Sequence, residues 1–262
     1  MLRNEDLDPQ RSRGEFVTAF LGDLKWFGFE WQEGPDCGGA FGPYNQSERF
    51  AMYRAALEKL GAHGFLYPCT CSRKDIQAAA RAPHQADDEL IYPGTCRPKE
   101  GPKLRGSSFR LAGTVTELVT CDPQPATRAN WRFRVPDGEV ISFTDGGFGP
   151  QAFVAGRDFG DFVVWRHDDV PAYQLAVVMD AAAMRITEVV RGADLLVSTA
   201  RQLLLYRALG LTPPAFFHCP LLTDAHGQRL AKRHDVLSLR ALRQQGKTPE
   251  ELRADWLRWL RS

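Results

Sequence analysis

The sequence predicts an α/β fold, because strand patterns and helical patterns alternate along the chain. F-V-V-W-R (162–166) and I-T-E-V-V (186–190) are apolar runs of strand length. A strong helical pattern then opens at Ser198 and Thr199 and runs to Leu209. The 262 residues, 44% of them hydrophobic and 25% charged, can bury a core and exclude a disordered or collagen-like chain.

Two helices are predicted before residue 65. Between Gly14 and Phe27 apolar residues recur near a 3.6-residue period, which is typical of an amphipathic helix packed on a core. Ser47 is expected to cap a second helix, which Gly61 and Gly64 end. The predicted core-facing residues are Phe16, Val17, Phe20, Leu21, Leu24 and Phe27 in the first helix and Phe50, Tyr53, Leu57 and Leu60 in the second.

Residues 65–130 differ in character from the rest of the chain and indicate an insertion. Cysteines, prolines and glycines replace the periodic apolar pattern there, and Ser72 is expected to cap a short helix. Beyond the insertion, Q-L-A-V-V-M (174–179) is another apolar run that favours a buried strand. Gly210 is expected to end the helix that precedes it.

A final helix is predicted near the end of the chain. Thr248 and Glu251 have the spacing of a capping box, and Pro249 occupies the first helical position. Its predicted apolar positions are Leu252, Trp256, Leu257 and Leu260.

Charge and hydropathy exclude several classes of protein. The 33 Lys and Arg residues balance 32 Asp and Glu residues, so a polyanion would have to be bound by a local basic patch. No apolar run approaches the roughly 20 residues of a membrane span. The charged N-terminal residues lack the apolar run of a signal peptide. We therefore expect a cytoplasmic protein that does not bind membranes.

Three of the six cysteines lie close together in the sequence and form a candidate metal site. Cys69 and Cys71 are two residues apart, so their thiolates can bind one metal ion from a tight turn. Cys96 follows Tyr92 by four residues, and this thiolate and a tyrosine oxygen can complete a tetrahedron. The alternative is that the cysteines are reduced and simply fill a small core.

Several separated stretches, in this order, resemble the catalytic core of glutamyl-tRNA synthetases. Each motif alone is unspecific, whereas the ordered set covers nearly the whole chain. They are R-N-E-D-L-D-P (3–9), the run from Asp161 to Asp180, I-T-E-V-V-R-G-A-D-L-L (186–196), T-A-R-Q-L-L-L-Y (199–206), H-C-P-L-L (218–222) and the K-M-S-K-S-like G-Q-R-L-A-K-R-H (227–234).

The resemblance implies a Rossmann-type class I aminoacyl-tRNA synthetase catalytic domain. We expect the nucleotide-binding part at residues 1–64 and 131–215 and a zinc-bearing subdomain at 65–130. Residues 216–262 would hold the K-M-S-K-S-like loop and a short C-terminal helical segment, with no anticodon-binding domain.

The family's first strand, R-F-A-P-S-P-x-G, and its H-I-G-H element have no counterpart in these residues. The first strand is central in a sheet of this type. We therefore expect the native product to begin upstream of Met1.

The cysteine pattern resembles the zinc site of glutamyl-Q tRNA(Asp) synthetases, which are stand-alone paralogues of the glutamyl-tRNA synthetase catalytic domain. The resemblance implies a structural Zn²⁺ held by Cys69, Cys71, Tyr92 and Cys96. It also implies activation of glutamate with ATP, and with Mg²⁺, in the absence of tRNA. The glutamate would then be transferred to queuosine at the wobble position of tRNA(Asp), whose anticodon loop enters the active site of a monomer.

The resemblance assigns roles to four further residues. Lys232 matches the second lysine of the signature loop and would contact the phosphates of ATP as the catalytic residue. Arg191 matches the arginine that reads the glutamate side chain, and its place at a strand end suits a ligand contact. Tyr173 would line the glutamate pocket, and Glu5 would accept from the substrate ammonium. The competing interpretations are a solvated lysine, a core tyrosine and a surface glutamate.

Two rival functions are also compatible with the sequence. One is a truncated glutamyl-tRNA synthetase catalytic core, which would charge the terminal adenosine of glutamate tRNA. The other is a non-catalytic paralogue that binds RNA or a metabolite and lacks the H-I-G-H element.

Overall fold

The chain forms two compact units in the computed structural model. The larger unit spans Arg49–Pro220, and the smaller one comprises Met1–Glu48 and Leu221–Ser262. No helix in the described part of the chain combines the length and the apolar character that a membrane crossing requires. The predicted insertion at 65–130 lies largely outside the described residues, so its assignment stays a prediction. The structure describes residues 1–8, 12–72, 74–76, 91–99, 129–221 and 238–259.

The smaller unit contains helix α1 (Gly14–Phe27), which has the predicted bounds and ends at Gly28 in the left-handed conformation. The predicted core face is wrong in its first half, because Phe16 and Phe20 are 52% and 50% exposed. Burial increases toward the C-terminal end of the helix, where the Phe27 ring packs 4.9 Å from the Trp256 ring.

The C-terminal part of the smaller unit is helical, as predicted. A short helix, α5 (Leu239–Gln244), packs on α1. It is followed by α6 (Pro249–Trp259). The capping box is confirmed, since the Thr248 N–H donates to the Glu251 carboxylate at 2.9 Å and the Glu251 N–H donates to Thr248 Oγ1 at 3.3 Å.

The larger unit opens with α2 (Phe50–Ala62), which contributes Tyr53, Leu57 and Leu60 to the core. The predicted Ser47 cap is wrong. Ser47 lies in a preceding 3-10 turn, and its N–H and hydroxyl both donate to the Asp6 carboxylate, at 2.9 and 2.6 Å. The N-cap position of α2 is instead Arg49, so Ser47 lies too early in the chain to cap this helix.

A three-stranded antiparallel sheet has the order β1-β2-β5. Its strands are β1 (Leu66–Cys69), β2 (Asn130–Phe133) and β5 (Phe162–Trp165), the last of which was predicted. Phe133 stacks on Phe162 with the ring centroids 5.3 Å apart. The pairing of β1 with β2 brings together the two ends of the predicted insertion.

A four-stranded sheet has the order β4-β3-β7-β6. Its strands are β3 (Val140–Asp145), β4 (Gly149–Val154), β6 (Glu188–Gly192) and β7 (Ala215–Cys219). β4 pairs with β3 in a hairpin, whereas β3, β7 and β6 run parallel, so their carboxyl ends lie at one edge. This is the edge at which open α/β sheets bind ligands.

Two helices connect these strands. The 174–179 run, predicted as a strand, lies in α3 (Tyr173–Ala183), where Leu175, Ala176 and Val178 are buried. A short apolar run buried on several sides has no polar stripe, so its sequence period does not separate helix from strand. The second helix, α4 (Leu196–Leu209), begins before Ser198 and ends at Gly210 as predicted.

A buried ion pair joins α2 to α3. Arg49 Nε donates to Asp180 Oδ1 at 2.7 Å, and the Tyr53 hydroxyl donates to the same oxygen at 2.7 Å. Both charged side chains are buried. Removing one partner of such a pair leaves an uncompensated buried charge, which is strongly destabilising.

We expect Asp180→Ala to lower the free energy of unfolding by about 3–5 kcal/mol, because the buried Arg49 loses its carboxylate. Urea denaturation followed by circular dichroism measures this change. Arg157→Ala is the matched control, since it breaks an exposed pair with Asp158 and is expected to change stability little. Equal effects of the two variants would contradict the importance of the buried pair.

Candidate functional site

Arg191 lies at the ligand-binding edge of the four-stranded sheet, next to the last residue of β6. Its Nη2 donates to Thr199 Oγ1 at 2.7 Å, and its Nε donates to His218 Nε2 at 3.1 Å. The guanidinium also lies 5.3 Å from the centroid of the Phe216 ring. The side chain is therefore held by groups from α4 and β7.

His218 is fully buried and lies between Arg191 and Asp145. Its Nδ1 and Asp145 Oδ2 are 2.6 Å apart. Because Arg191 Nε can only donate, Nε2 of His218 must accept, and the partners assign the ring proton to Nδ1. Nδ1 therefore donates to the Asp145 carboxylate.

Asp145 ends β3, and its other oxygen binds the following turn. Oδ1 accepts from the backbone N–H groups of Gly147, Phe148 and His218 at 3.0, 2.9 and 3.2 Å. Burial raises the pKa of this carboxyl, but the hydrogen bonds from His218 and the backbone outweigh burial and bring the pKa to about 2. Asp145 is therefore an ionised acceptor at neutral pH.

The turn after Asp145 requires a glycine. A Cβ atom at Gly147 would lie 2.1 Å from the His218 carbonyl oxygen, so any side chain would push β7 away from the turn. Glycine at this position thus allows the close approach on which the hydrogen bonds to Asp145 depend.

Tyr173, predicted to line the same pocket as Arg191, is indeed its neighbour. Burial lowers the pKa of the Arg191 guanidinium, and a hydrogen bond with Tyr173 and the charge of Asp194 act in the opposite direction. Tyr173 begins α3 and is 40% exposed, so it is not a core tyrosine. The structure brings the two residues together, and their roles stay predictions.

Gln202 belongs to a network of polar side chains near the start of α3. Its Nε2 donates to Gln174 Oε1 at 2.9 Å, and Gln174 Nε2 donates to Ser198 Oγ at 3.1 Å. The network joins the first turn of α3 to α4.

Two further binding residues were predicted, Glu5 and Lys232. Glu5 belongs to the smaller unit, where its carboxylate accepts from Arg3 Nη2 at 2.6 Å and its side chain is 49% exposed. Lys232 lies outside the described residues. The roles of both residues stay predictions.

The three predicted cysteine ligands converge in the larger unit. The Sγ atoms of Cys69, Cys71 and Cys96 lie within 4.8 Å of one another. The Tyr92 hydroxyl lies 3.4 Å from Cys69 Sγ and 3.7 Å from Cys71 Sγ. In a tetrahedral site with Zn–S bonds of about 2.3 Å the sulfur atoms are roughly 3.8 Å apart, so the four side chains suit one metal ion.

The surroundings of this cluster favour one thiolate. Burial raises the pKa of the Cys96 thiol, but hydrogen bonds from the Thr70 backbone, Tyr92 and Cys71 outweigh burial and lower the pKa to about 7. Burial and the neighbouring thiols raise the pKa of Tyr92. The guanidinium of Arg132 lies over the Tyr92 ring, 3.8 Å from its centroid.

Asp145 and His218 were not assigned a role from the sequence. His218 begins the quoted H-C-P-L-L stretch, and Asp145 precedes two glycines at a strand end. An acidic residue followed by Gly-Gly at the carboxyl end of a strand is a signal that points to this edge of the sheet.

The comparisons with known proteins identify the family. Residues 1–259 match the family of class I tRNA synthetases (E and Q), catalytic domain. The chain belongs to this family and is therefore a class I, aminoacyl-tRNA synthetase-like ligase, which confirms the predicted class.

Named relatives support this assignment. The chain is 48% identical to a "Glutamyl-Q tRNA(Asp) synthetase" of Nitratidesulfovibrio vulgaris, over 94% of this chain and 71% of the relative. It is 40% identical to "Glutamate--tRNA ligase 2" of Nitrosococcus oceani, over 96% of this chain and 50% of the relative. The solved glutamate-tRNA synthetase of Elizabethkingia anophelis is similar with a TM-score of 0.68 and 26% identity, over 88% of this chain and 45% of that one.

Proposed function

We propose that this protein activates glutamate with ATP, without needing tRNA, and transfers the glutamate to queuosine at the wobble position of tRNA(Asp). The observation that carries the proposal is the geometry of Arg191, a guanidinium held by His218 and Thr199 at the ligand-binding edge of a parallel sheet. Such a group suits bidentate binding of a carboxylate. The partners of the reaction would be glutamate, ATP with Mg²⁺ and the anticodon loop of tRNA(Asp), bound by a monomer.

The choice of acceptor is supported by the relatives. The chain is more similar to the named glutamyl-Q tRNA(Asp) synthetase than to the named glutamate–tRNA ligase, at 48% against 40% identity. It also spans a larger share of the former, 71% against 50%. The cluster of three thiols and Tyr92 fits the zinc site that this resemblance implies.

Activation joins the glutamate α-carboxylate to the α-phosphorus of ATP and expels pyrophosphate. The site must hold two anions close together and stabilise the charge on the transferred phosphate. In our proposal Arg191 and Tyr173 bind the substrate side-chain carboxylate, and Glu5 accepts from the ammonium group. Lys232 contacts the phosphates and stabilises their charge during transfer.

Zn²⁺ is proposed as a structural ion bound by Cys69, Cys71, Cys96 and Tyr92. Four protein ligands leave no open position, which is typical of structural rather than catalytic zinc. The ion would fix the end of β1 to the segment at 92–96, which carries the other two ligands.

The direct test is glutamate-dependent ATP–pyrophosphate exchange without tRNA, followed by transfer to tRNA(Asp) with and without queuosine. We expect exchange in the absence of tRNA and transfer only to the queuosine-containing tRNA. Exchange that requires tRNA, or transfer to the terminal adenosine of glutamate tRNA, would instead indicate an ordinary glutamyl-tRNA synthetase. A folded protein without exchange activity would indicate a non-catalytic binding role.

Arg191 and Lys232 are expected to have separable kinetic effects. Arg191→Ala should raise the glutamate KM by a hundredfold or more, because it removes the charge partner of a desolvated carboxylate, and should leave the KM for ATP little changed. Lys232→Ala should chiefly lower kcat for pyrophosphate exchange, by roughly a hundredfold. The reverse pattern, or equal effects on both constants, would contradict these roles.

The purified protein is expected to hold about one zinc ion per chain, because the spacing of the four side chains suits one tetrahedral site. The Cys69→Ser, Cys71→Ser double variant should lose the metal, whereas Cys37→Ser, at an exposed cysteine outside the cluster, should keep it. Elemental analysis of protein purified under reducing conditions without chelators measures both. Undiminished zinc in the double variant would rule out this site.

A further inference from the structure

We propose that the buried Asp145–His218 pair is a positioning device that fixes the orientation of the Arg191 guanidinium for glutamate. The inference rests on the proposed function, in which Arg191 binds the glutamate side chain. The pair does not contact the substrate in this proposal. It acts through the hydrogen bond from Arg191 Nε to His218 Nε2.

The first step is the direction of the hydrogen bonds. An arginine has only donors, so His218 must present a lone pair at Nε2 and carry its proton on Nδ1. Asp145 Oδ2 lies 2.6 Å from Nδ1 and, as part of a carboxylate, can only accept there. The Asp145 carboxylate at Nδ1 thus keeps Nε2, on the other side of the His218 ring, as a hydrogen-bond acceptor.

The hydrogen bond to His218 restricts the orientation of Arg191. Two of its five N–H donors are directed to Thr199 and His218, which are both buried. Contact at two points fixes the plane of the guanidinium, and the donors not used by Thr199, His218 or Tyr173 can bind a ligand. A preoriented guanidinium loses less conformational entropy when it binds a carboxylate.

The third step is that Asp145→Asn should reverse the direction of the hydrogen bonds. Oδ1 already accepts three backbone N–H groups, so the amide oxygen of the new side chain must take that place. Its amide nitrogen then faces Nδ1 and donates to it. His218 must carry its proton on Nε2, where it meets the N–H of Arg191, so that two donors face each other.

The experiment combines nitrogen-15 NMR of the His218 ring with calorimetric titration of the full chain with glutamate and, separately, with ATP. We expect the wild-type ring to be protonated on Nδ1 and the Asp145→Asn ring on Nε2. The variant should bind glutamate at least tenfold more weakly and ATP with unchanged affinity. The tautomer change would show that the hydrogen bonds have reversed, and a merely structural role would not then weaken glutamate binding selectively.

Asp161→Asn is the matched control. Asp161 is another buried carboxylate of the same unit, and it accepts from the Tyr67 hydroxyl at 2.5 Å and from the Val135 N–H at 2.8 Å. This variant should lose stability without a change in the His218 tautomer or in glutamate affinity. Equal weakening of glutamate binding by Asp161→Asn would overturn the positioning role.

A second pair of variants keeps the test decisive if Asp145→Asn does not fold. His218→Gln still offers an acceptor to Arg191, whereas His218→Leu does not. We expect His218→Gln to bind glutamate at least tenfold more tightly than His218→Leu. Equal glutamate affinity of the two variants would overturn the proposal.

Arg191→Ala separates the positioning role from the proposed function. If Arg191→Ala weakens glutamate binding and Asp145→Asn shifts the affinity less than twofold, the positioning role alone is wrong. If Arg191→Ala leaves glutamate affinity unchanged, Arg191 does not bind the substrate and both roles fail. A wild-type protein that binds no glutamate would overturn the proposed function, and the positioning role with it.

Discussion

The hydrogen bond between Asp145 and His218 joins β3 to β7 at the edge where three parallel strands end. It connects residues 73 positions apart, and both side chains are buried. Gly147 permits the turn that supplies N–H groups to Asp145, and Arg191 receives its acceptor from the far side of the His218 ring. The geometry of the candidate glutamate site therefore depends on this one pair.

A buried polar network of this kind is stabilising only when its members are satisfied. Each Asp145 oxygen accepts a hydrogen bond, and each His218 ring nitrogen has a partner. Thr199 Oγ1 accepts from Arg191 and donates to the Leu195 carbonyl oxygen at 3.3 Å. Replacing one member of such a network strongly lowers the free energy of unfolding, because the remaining groups stay buried without partners. A buried polar network is therefore more typical of a binding site than of a purely structural core, in which apolar side chains would be sufficient.

The sequence predicted those features that depend on short spacing. The Thr248 capping box and the Gly210 helix end follow from residues a few positions apart, and the structure places them as expected. The 69–71 and 92–96 segments lie far apart in the sequence, and their convergence was predicted from ligand chemistry and from the family resemblance. The 174–179 run was assigned to a strand because a fully buried helix loses the polar stripe that identifies it. The Asp145–His218 pair depends on strand order, which no local pattern encodes.

In our proposal Arg191, oriented by His218, is the binding group for the glutamate side chain. A crystal structure of the protein with bound glutamate tests it most directly. We expect the side-chain carboxylate of glutamate to lie within hydrogen-bond distance of the Arg191 guanidinium while Arg191 Nε still donates to His218 Nε2. Glutamate bound away from Arg191, or a guanidinium that has left His218 to reach the ligand, would contradict the claim.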